Sequence, residues 1–307
     1  MKTHARTTLF LLVFSHLVAV RCFFVAASRR HYSFRSSVLG MTETIVEESS
    51  TVDTQENKIK KKQTDENNPR LTGLALQLDE GTRKSHSVAQ NSAFVTGFFK
   101  GLSTKESYRN LMTSLYFVYQ VMEQDAFDRT QCPYVRAMDD PELRRSTALE
   151  QDMDYFYGSD WKNVGNIRPS SATQAYVARV QQVTQNEPYL LVAHQYTRYS
   201  GDLFGGQMMG GMAQRSLNLE PGKGVAFYQF PNIFNTNEFI AQWYTRFAQW
   251  YTRLNALELT DEQKGAIVDE ANLVFDLNIG ILQELDGSPF SAIWTMTVNS
   301  IKARLGF

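Results

Sequence analysis

The sequence predicts an all-α protein. Apolar residues recur at intervals of three and four from Leu71 onward, and helix start and stop signals flank those runs. Only Val225-Ala226-Phe227-Tyr228-Gln229-Phe230 has strand character, and one isolated strand makes no sheet. The chain has 307 residues, 43% of them hydrophobic and 21% charged, which is enough apolar material for a sizeable core. That length suggests about two domains, but composition shifts along the chain reduce the count to one. The net charge of −1 implies neither a nucleic-acid-coating surface nor an acidic tail.

Residues 1–40 read as a targeting segment. Lys2 and Arg6 precede an apolar run, Thr8 to Val20, interrupted by Ser15 and His16. It is too short to span a bilayer and has the shape of a signal-peptide core, with cleavage fitting after Cys22 or Ala27. Ser28 to Gly40 carries Arg29, Arg30, Arg35 and several serines without an acidic residue, which is transit-peptide composition. A signal core followed by such a stretch resembles the two-part presequence of plastids reached through the secretory route, as in diatoms and related algae. A plain signal for the secretory pathway or endoplasmic reticulum is the alternative. Residues 41–70 are polar, with few aromatics and no apolar period, and read as a disordered linker. Within it, the basic run Lys58–Lys62 has a nuclear-signal or acidic-surface reading beside the plainer one of solvated chain. The folded unit is then 71–287. A tail, 288–307, is too short and polar to anchor in a membrane and reads as an amphipathic helix on the domain or on another surface.

Inside the folded unit, Leu71, Leu74, Leu78, Val88, Phe94, Val95, Phe98 and Phe99 keep helical spacing. Leu111, Leu115, Val118, Tyr119 and Met122 place a second long helix. Pro141-Glu142-Leu143 opens another, because proline suits a first helical position, and Tyr155-Phe156-Tyr157-Gly158 closes it. Further helices are predicted over 171–186, 188–217, 236–257 and 260–285, the last opened by a Thr260–Gln263 capping box. A heptad, Ala241-Gln242-Trp243-Tyr244-Thr245-Arg246-Phe247, is repeated at once as Ala248-Gln249-Trp250-Tyr251-Thr252-Arg253-Leu254. Such a duplication lengthens a helix by about 10 Å and nearly keeps its face.

The options for chemistry are few. Two cysteines, Cys22 and Cys132, exclude a disulfide scaffold and a cysteine-ligated zinc or iron–sulfur site. Of five histidines, His4, His16 and His31 fall in the targeting segment, which leaves His86 and His194. Zinc needs a third or fourth ligand, and no Glu-x-x-His pair exists for a di-iron bundle. One histidine on a haem iron remains open, beside the structural role common for a lone helical histidine.

The stretch from Tyr196 to Gly211 adds a second signal. Gly201, Gly205, Gly206, Gly210 and Gly211 are five glycines in eleven otherwise helical residues. Each costs about 1 kcal/mol relative to alanine, and five of them are a large fraction of a typical stability of about 5–15 kcal/mol. Close backbone approach and local kinking, which let a helix lie over a flat ligand, give a reason. A small-xxx-small helix contact through Gly201/Gly205 or Gly206/Gly210 is the alternative. It leaves Asp202, Tyr196, Arg198 and Tyr199 unexplained.

Leu190-Leu191-Val192-Ala193-His194-Gln195-Tyr196-Thr197-Arg198-Tyr199, followed by Gly201-Asp202-Leu203-x-Gly205-Gly206-Gln207, resembles the distal-helix pattern of the haem oxygenase family. The similarity extends to Thr82–Ala89, Ala148–Asp152, Phe230–Ile233 and Phe275-x-x-Asn278-Ile279, so it spans about 72–285. It implies a single-domain multi-helix bundle with haem b, both substrate and prosthetic group, between a proximal helix and a glycine-rich, kinked distal helix. The implied reaction opens haem to biliverdin, CO and ferrous iron with O2, and feeds bilin synthesis. The implied electron donor is ferredoxin in a plastid, or an NADPH-dependent reductase elsewhere.

Roles follow from the resemblance by position. His86 supplies a neutral imidazole to the iron. Gly201, Gly205 and Gly206 cover the distal face, and Asp202 anchors a water network that carries protons to iron-bound oxygen. Tyr119, Tyr176, Arg198 and Asn278 complete that network, Phe275 lines the pocket, and Tyr196 lies on the propionate side. His194 matches a residue the family does not use on iron and reads as structural.

Several positions depart from the family pattern. Gln90 stands where a glutamate is common, four residues after His86, and Asp79 stands seven before it, where a base often holds a propionate. Arg83 is a substitute from the next turn. The duplication falls where the other propionate cations belong; an ungapped reading puts Ile240 and Tyr244, or Phe247 and Tyr251, there, leaving Arg246 and Arg253 as candidates. A haem carrier or sensor that keeps the fold without turnover, and a helical bundle without haem, are the rival readings.

Overall fold

The computed structural model describes residues 68–231 and 248–285, apart from the side chains of Val164, Phe204 and Gln207. Residues 1–67, including those read as a targeting segment, Ile240, Tyr244, Arg246 and Phe247, and the residues read as a tail lie outside the described residues. Among the described residues the architecture is helical without a strand. A 3-10 turn, Pro69–Leu71, leads into α1 (Gly73–Gly81), α2 (Arg83–Gln90) and α3 (Ala93–Phe99). Then come α4 (Lys105–Gln120), running into a π-helical turn Val121–Phe127, α5 (Pro133–Met138), α6 (Ser146–Tyr157) and α7 (Trp161–Val164). The second half holds α8 (Ser171–Asn186), α9 (Leu191–Phe204), α10 (Gly206–Ser216), a helical segment 248–255, and α11 (Asp261–Leu285).

Local chemistry sets most boundaries. Side chains of Ser92, Thr104 and Ser170 accept from the first free N–H groups of α3, α4 and α8. The capping box at α11 is present: Thr260 N–H donates to Gln263 Oε1 at 3.0 Å, and Gln263 N–H to Thr260 Oγ1 at 3.2 Å. Gly158 ends α6 at φ +84°, a conformation that favours glycine.

α11 is the hub. It packs against α1, α2, α3, α4, α8 and α9. α9 is buried on every side from Leu191 to Tyr199, so it threads the core rather than lining it. α4 and α6 lie together on the far side, and α10 meets α3.

Four expectations change. Pro141–Leu143 form a turn and α6 starts at Ser146, because the buried Glu123 carboxylate accepts from the Arg145 and Ser146 N–H groups at 2.7 and 2.9 Å. Ala226–Tyr228 is a 3-10 turn rather than a strand: the buried Asp152 carboxylate takes the N–H groups of Ala226 and Phe227, each at 2.8 Å. Leu71 and Val88, though in period, are exposed. Pro69 and Arg70 belong to the folded unit, since Asn255 Nδ2 donates to the Pro69 carbonyl at 2.6 Å.

Candidate active site

Two helices that never approach each other in sequence are brought over one face of α11. His86, on α2, meets Phe275 edge-on with ring centroids 5.7 Å apart. Three residues along, Asn278 Oδ1 accepts from an Arg198 terminal nitrogen of α9 at 2.6 Å. Residues three apart on a helix share a face, so α11 sets α2 and α9 about one turn apart. At one end the Tyr196 side chain lies by Thr82, which joins α1 to α2. At the other, α3 packs on α10. α2 and α9 thus both stand on α11, and the space between them is the candidate cleft.

The glycines divide by neighbour. A Cβ on Gly201 would meet nothing within 4 Å, and both Gly201 and Gly205 are exposed on one face of the distal helix. A Cβ on Gly206 or Gly210 would come within 2.9 Å of the Tyr228 ring or its Cβ. At Gly206, glycine is needed by the packing of Tyr228 as well. The helix breaks between Phe204 and Gly206, as the glycine density suggested.

Beside the open glycine face lies a buried polar network. The Tyr119 hydroxyl donates to Asp202 Oδ2 and accepts from Arg198 Nε, the latter at 3.1 Å. The Arg198 guanidinium also sits over the Tyr119 ring, 5.1 Å from its centroid. Burial pushes the Asp202 carboxyl up to about 6, even though Arg198, Tyr119 and Arg145 pull it down. Burial likewise raises the Tyr119 phenol well above its ordinary value. A carboxyl poised near neutrality and hydrogen-bonded to a neutral phenol can accept and return a proton. Tyr176 is buried within electrostatic reach of Arg198 and Asp202, but its hydroxyl makes no hydrogen bond to protein. That orphaned donor fits an ordered water in the same network.

His86 is exposed on α2, yet desolvation of its imidazole lowers its pKa despite the opposing charge of Asp79, so the ring is neutral and able to bind a metal through nitrogen. His194 has a structural place: it is fully buried, with Nε2 3.1 Å from Glu270 Oε1, and Arg179 completes the group.

Two of the candidate cations are ion-paired in the structure. Arg83 turns back to Asp79 and Glu80 at 3.6 and 3.9 Å and is 56% exposed. Arg253 reaches Asp140 at 3.3 Å, and its place two residues after the buried Tyr251 aims it away from Tyr196. Arg246 lies outside the described residues.

Several supporting residues escaped the sequence reading. Glu123 also accepts from the Tyr199 hydroxyl at 3.0 Å and the Ser146 hydroxyl at 2.5 Å. Its signal was present, since it follows Tyr119 by one helical turn in an apolar stretch. Arg145 donates to the Gln229 carbonyl at 2.6 Å and covers the Phe230 ring at 3.7 Å, which fixes the loop behind Tyr228. Trp250 lies against Tyr196, with centroids 6.2 Å apart. Nothing local in the sequence marks those partners.

Fold and site together define a helical bundle with a neutral histidine on one helix and a buried, hydrogen-bonded carboxyl beside an open glycine face on another. A family model for heme oxygenase matches residues 72–284. Heme oxygenase 1 of Synechocystis sp. is 43% identical over 231 residues, 75% of this chain and 92% of that protein. The heme oxygenase of Porphyra purpurea is 40% identical over 76% of this chain and 94% of its own length. The crystal structure of heme oxygenase-1 from Synechocystis in complex with heme superposes with a TM-score of 0.64, covering 75% of this chain and 100% of that one. The chain belongs to the heme oxygenase family.

Proposed function

We propose that the protein opens haem to biliverdin, CO and ferrous iron, consuming O2 and electrons from ferredoxin, in a plastid where the product feeds bilin synthesis. The observation that carries the reaction is Asp202: a buried carboxyl, pushed up to about 6, held by Tyr119 beside the exposed backbone of Gly201 and Gly205. When bound, haem would supply the redox-active iron and the ring that is opened. His86 offers a neutral imidazole from α2, and Phe275 fixes its ring orientation. Gly201 and Gly205 present no side chain, so the distal backbone can lie close to the ring plane. Asp202 exchanges a proton with Tyr119 or with ordered water, while Arg198, tied to Asn278, keeps both groups aligned. The electron donor and compartment rest on the presequence composition; an NADPH-dependent reductase is the donor if the plastid reading fails.

Titration with haemin tests the site. Wild type is expected to give a sharp Soret band and bound-imidazole spectrum, and His86→Ala to lose the iron ligation. An identical spectrum from both proteins would remove His86 from its role. Comparing ferredoxin with an NADPH-dependent reductase as donor then decides the electron source.

A further inference from the structure

We propose that Arg70 clasps a carboxylate of the bound haem together with the hydroxyls of Tyr196 and Tyr251, and that Asp79 competes with the ligand for Arg70. This rests on the reading of the cleft as a haem site. Haem b carries two carboxylates on one edge of its ring, so a cleft that seats the ring needs cationic and hydroxyl donors at its mouth. Arg83 reaches Asp79 and Glu80 from an exposed position, and Arg253 pairs with Asp140. Arg70 is placed differently.

It stands on the 3-10 turn Pro69–Leu71, whose backbone is fixed from both sides. The Arg70 N–H donates to Asn68 Oδ1 at 3.1 Å, and Asn255 Nδ2 donates to the Pro69 carbonyl at 2.6 Å. Asn255 Oδ1 accepts from the Ala75 N–H at 2.9 Å, so one amide staples the turn, α1 and the segment 248–255 together. Tyr251 lies one helical turn before Asn255 in that segment and is buried. The staple thereby sets Arg70 next to Tyr251. An Arg70 terminal nitrogen donates to Asp79 Oδ1 at 2.7 Å, with the two side chains 41% and 23% exposed. The pair is at the rim of the fold, not in its core.

Charge reaches the same place from all sides. Arg70 and Asp79 both act on Tyr196, on Tyr251 and on the His86 imidazole. Burial works against the charge of Arg70, yet the oxygens of Tyr251 and Asp79 outweigh it and hold the guanidinium ionised. A partly exposed ion pair is weak and exchanges readily. A ligand carboxylate that brings Arg70 and two phenol donors together out of water makes the stronger set. Asp79, in turn, keeps Arg70 in position before the ligand arrives.

Soret titration of the full chain tests this, using haemin and haemin dimethyl ester, whose carboxylates are capped. Arg70→Gln should weaken haemin binding about tenfold, Arg70→Lys should recover part of it, and Asp79→Asn should tighten it by about threefold. With the ester these differences should vanish. Equal haemin affinity in wild type and Arg70→Gln overturns the proposal, as does a defect of equal size with the ester. If circular dichroism shows that Arg70→Gln does not fold, Asp79→Asn decides: tightening for haemin but not for the ester supports the clasp, and its absence overturns it. A wild type that binds neither compound removes the haem site itself, a result distinct from a clasp that fails on its own.

Discussion

The Tyr119 hydroxyl donates to the Asp202 carboxylate across 83 residues of sequence and accepts from Arg198 at the same oxygen. The phenol is thus both the partner that lowers the acid's pKa and a link between it and a fixed cation. Tyr119→Phe removes the hydrogen bond that opposes burial, so the Asp202 pKa moves further up from about 6. The acid limb of the biliverdin-forming rate should shift to higher pH in the variant. A superimposable pH–rate profile would detach Tyr119 from the proton path.

Asp202 also makes stability depend on pH. Its folded pKa of about 6 exceeds the ordinary 3.8, so the fold favours the protonated form. Its contribution is intact below pH 3.8 and is lost as pH rises towards and past about 6, a loss on the order of 3 kcal/mol. Asp152 is raised in the same way but is common to both proteins, so it cancels in a comparison. Denaturant unfolding of wild type and Asp202→Asn, at pH 4 and pH 7, should show wild type losing stability relative to the variant. A difference that is flat with pH contradicts this.

The distal glycines should separate into two kinds. Gly201→Ala places a Cβ in open space and should raise the stability of the ligand-free protein by about 0.5–1 kcal/mol, while weakening haem binding. Gly210→Ala drives a Cβ to 2.9 Å from the Tyr228 Cβ and should cost about 1–3 kcal/mol. Melting temperatures with and without haem check both, and matching losses in the two ligand-free variants contradict the division.

Glu123 is a buried acid with four hydrogen bonds, to Arg145 N–H, Ser146 N–H and hydroxyl, and Tyr199. Glu123→Ala leaves those donors and the neighbouring Arg145 charge unmatched, and should destabilise by about 3–5 kcal/mol. Urea unfolding measures it; a loss below about 1 kcal/mol would make the acid dispensable.

The helical class, the cap at Thr260 and the break at the glycines were legible because each is a local pattern within a few residues. Asp202 and Arg198 stood out beside the glycines, Tyr119 and Asn278 became legible as site residues only through family resemblance, and the structure brings all four into one network. What local pattern misses is an acid on one helix that fixes the start of another element. Glu123 moves the start of α6 from Pro141 to Ser146, and Asp152 turns a strand-like run into a 3-10 turn. The same blindness hid Arg70, whose place depends on Asn255, 186 residues beyond the Pro69 carbonyl it holds.

One cleft is proposed both to bind haem through His86 and to open it through Asp202. The most direct test of that proposal is single turnover of stoichiometric haemin with O2, ferredoxin, ferredoxin reductase and NADPH, followed at the Soret band and by biliverdin yield. Wild type should lose the Soret band as biliverdin appears, while Asp202→Ala should bind haem and form no biliverdin. A stable wild-type Soret band, or a normal biliverdin yield from Asp202→Ala, would contradict it.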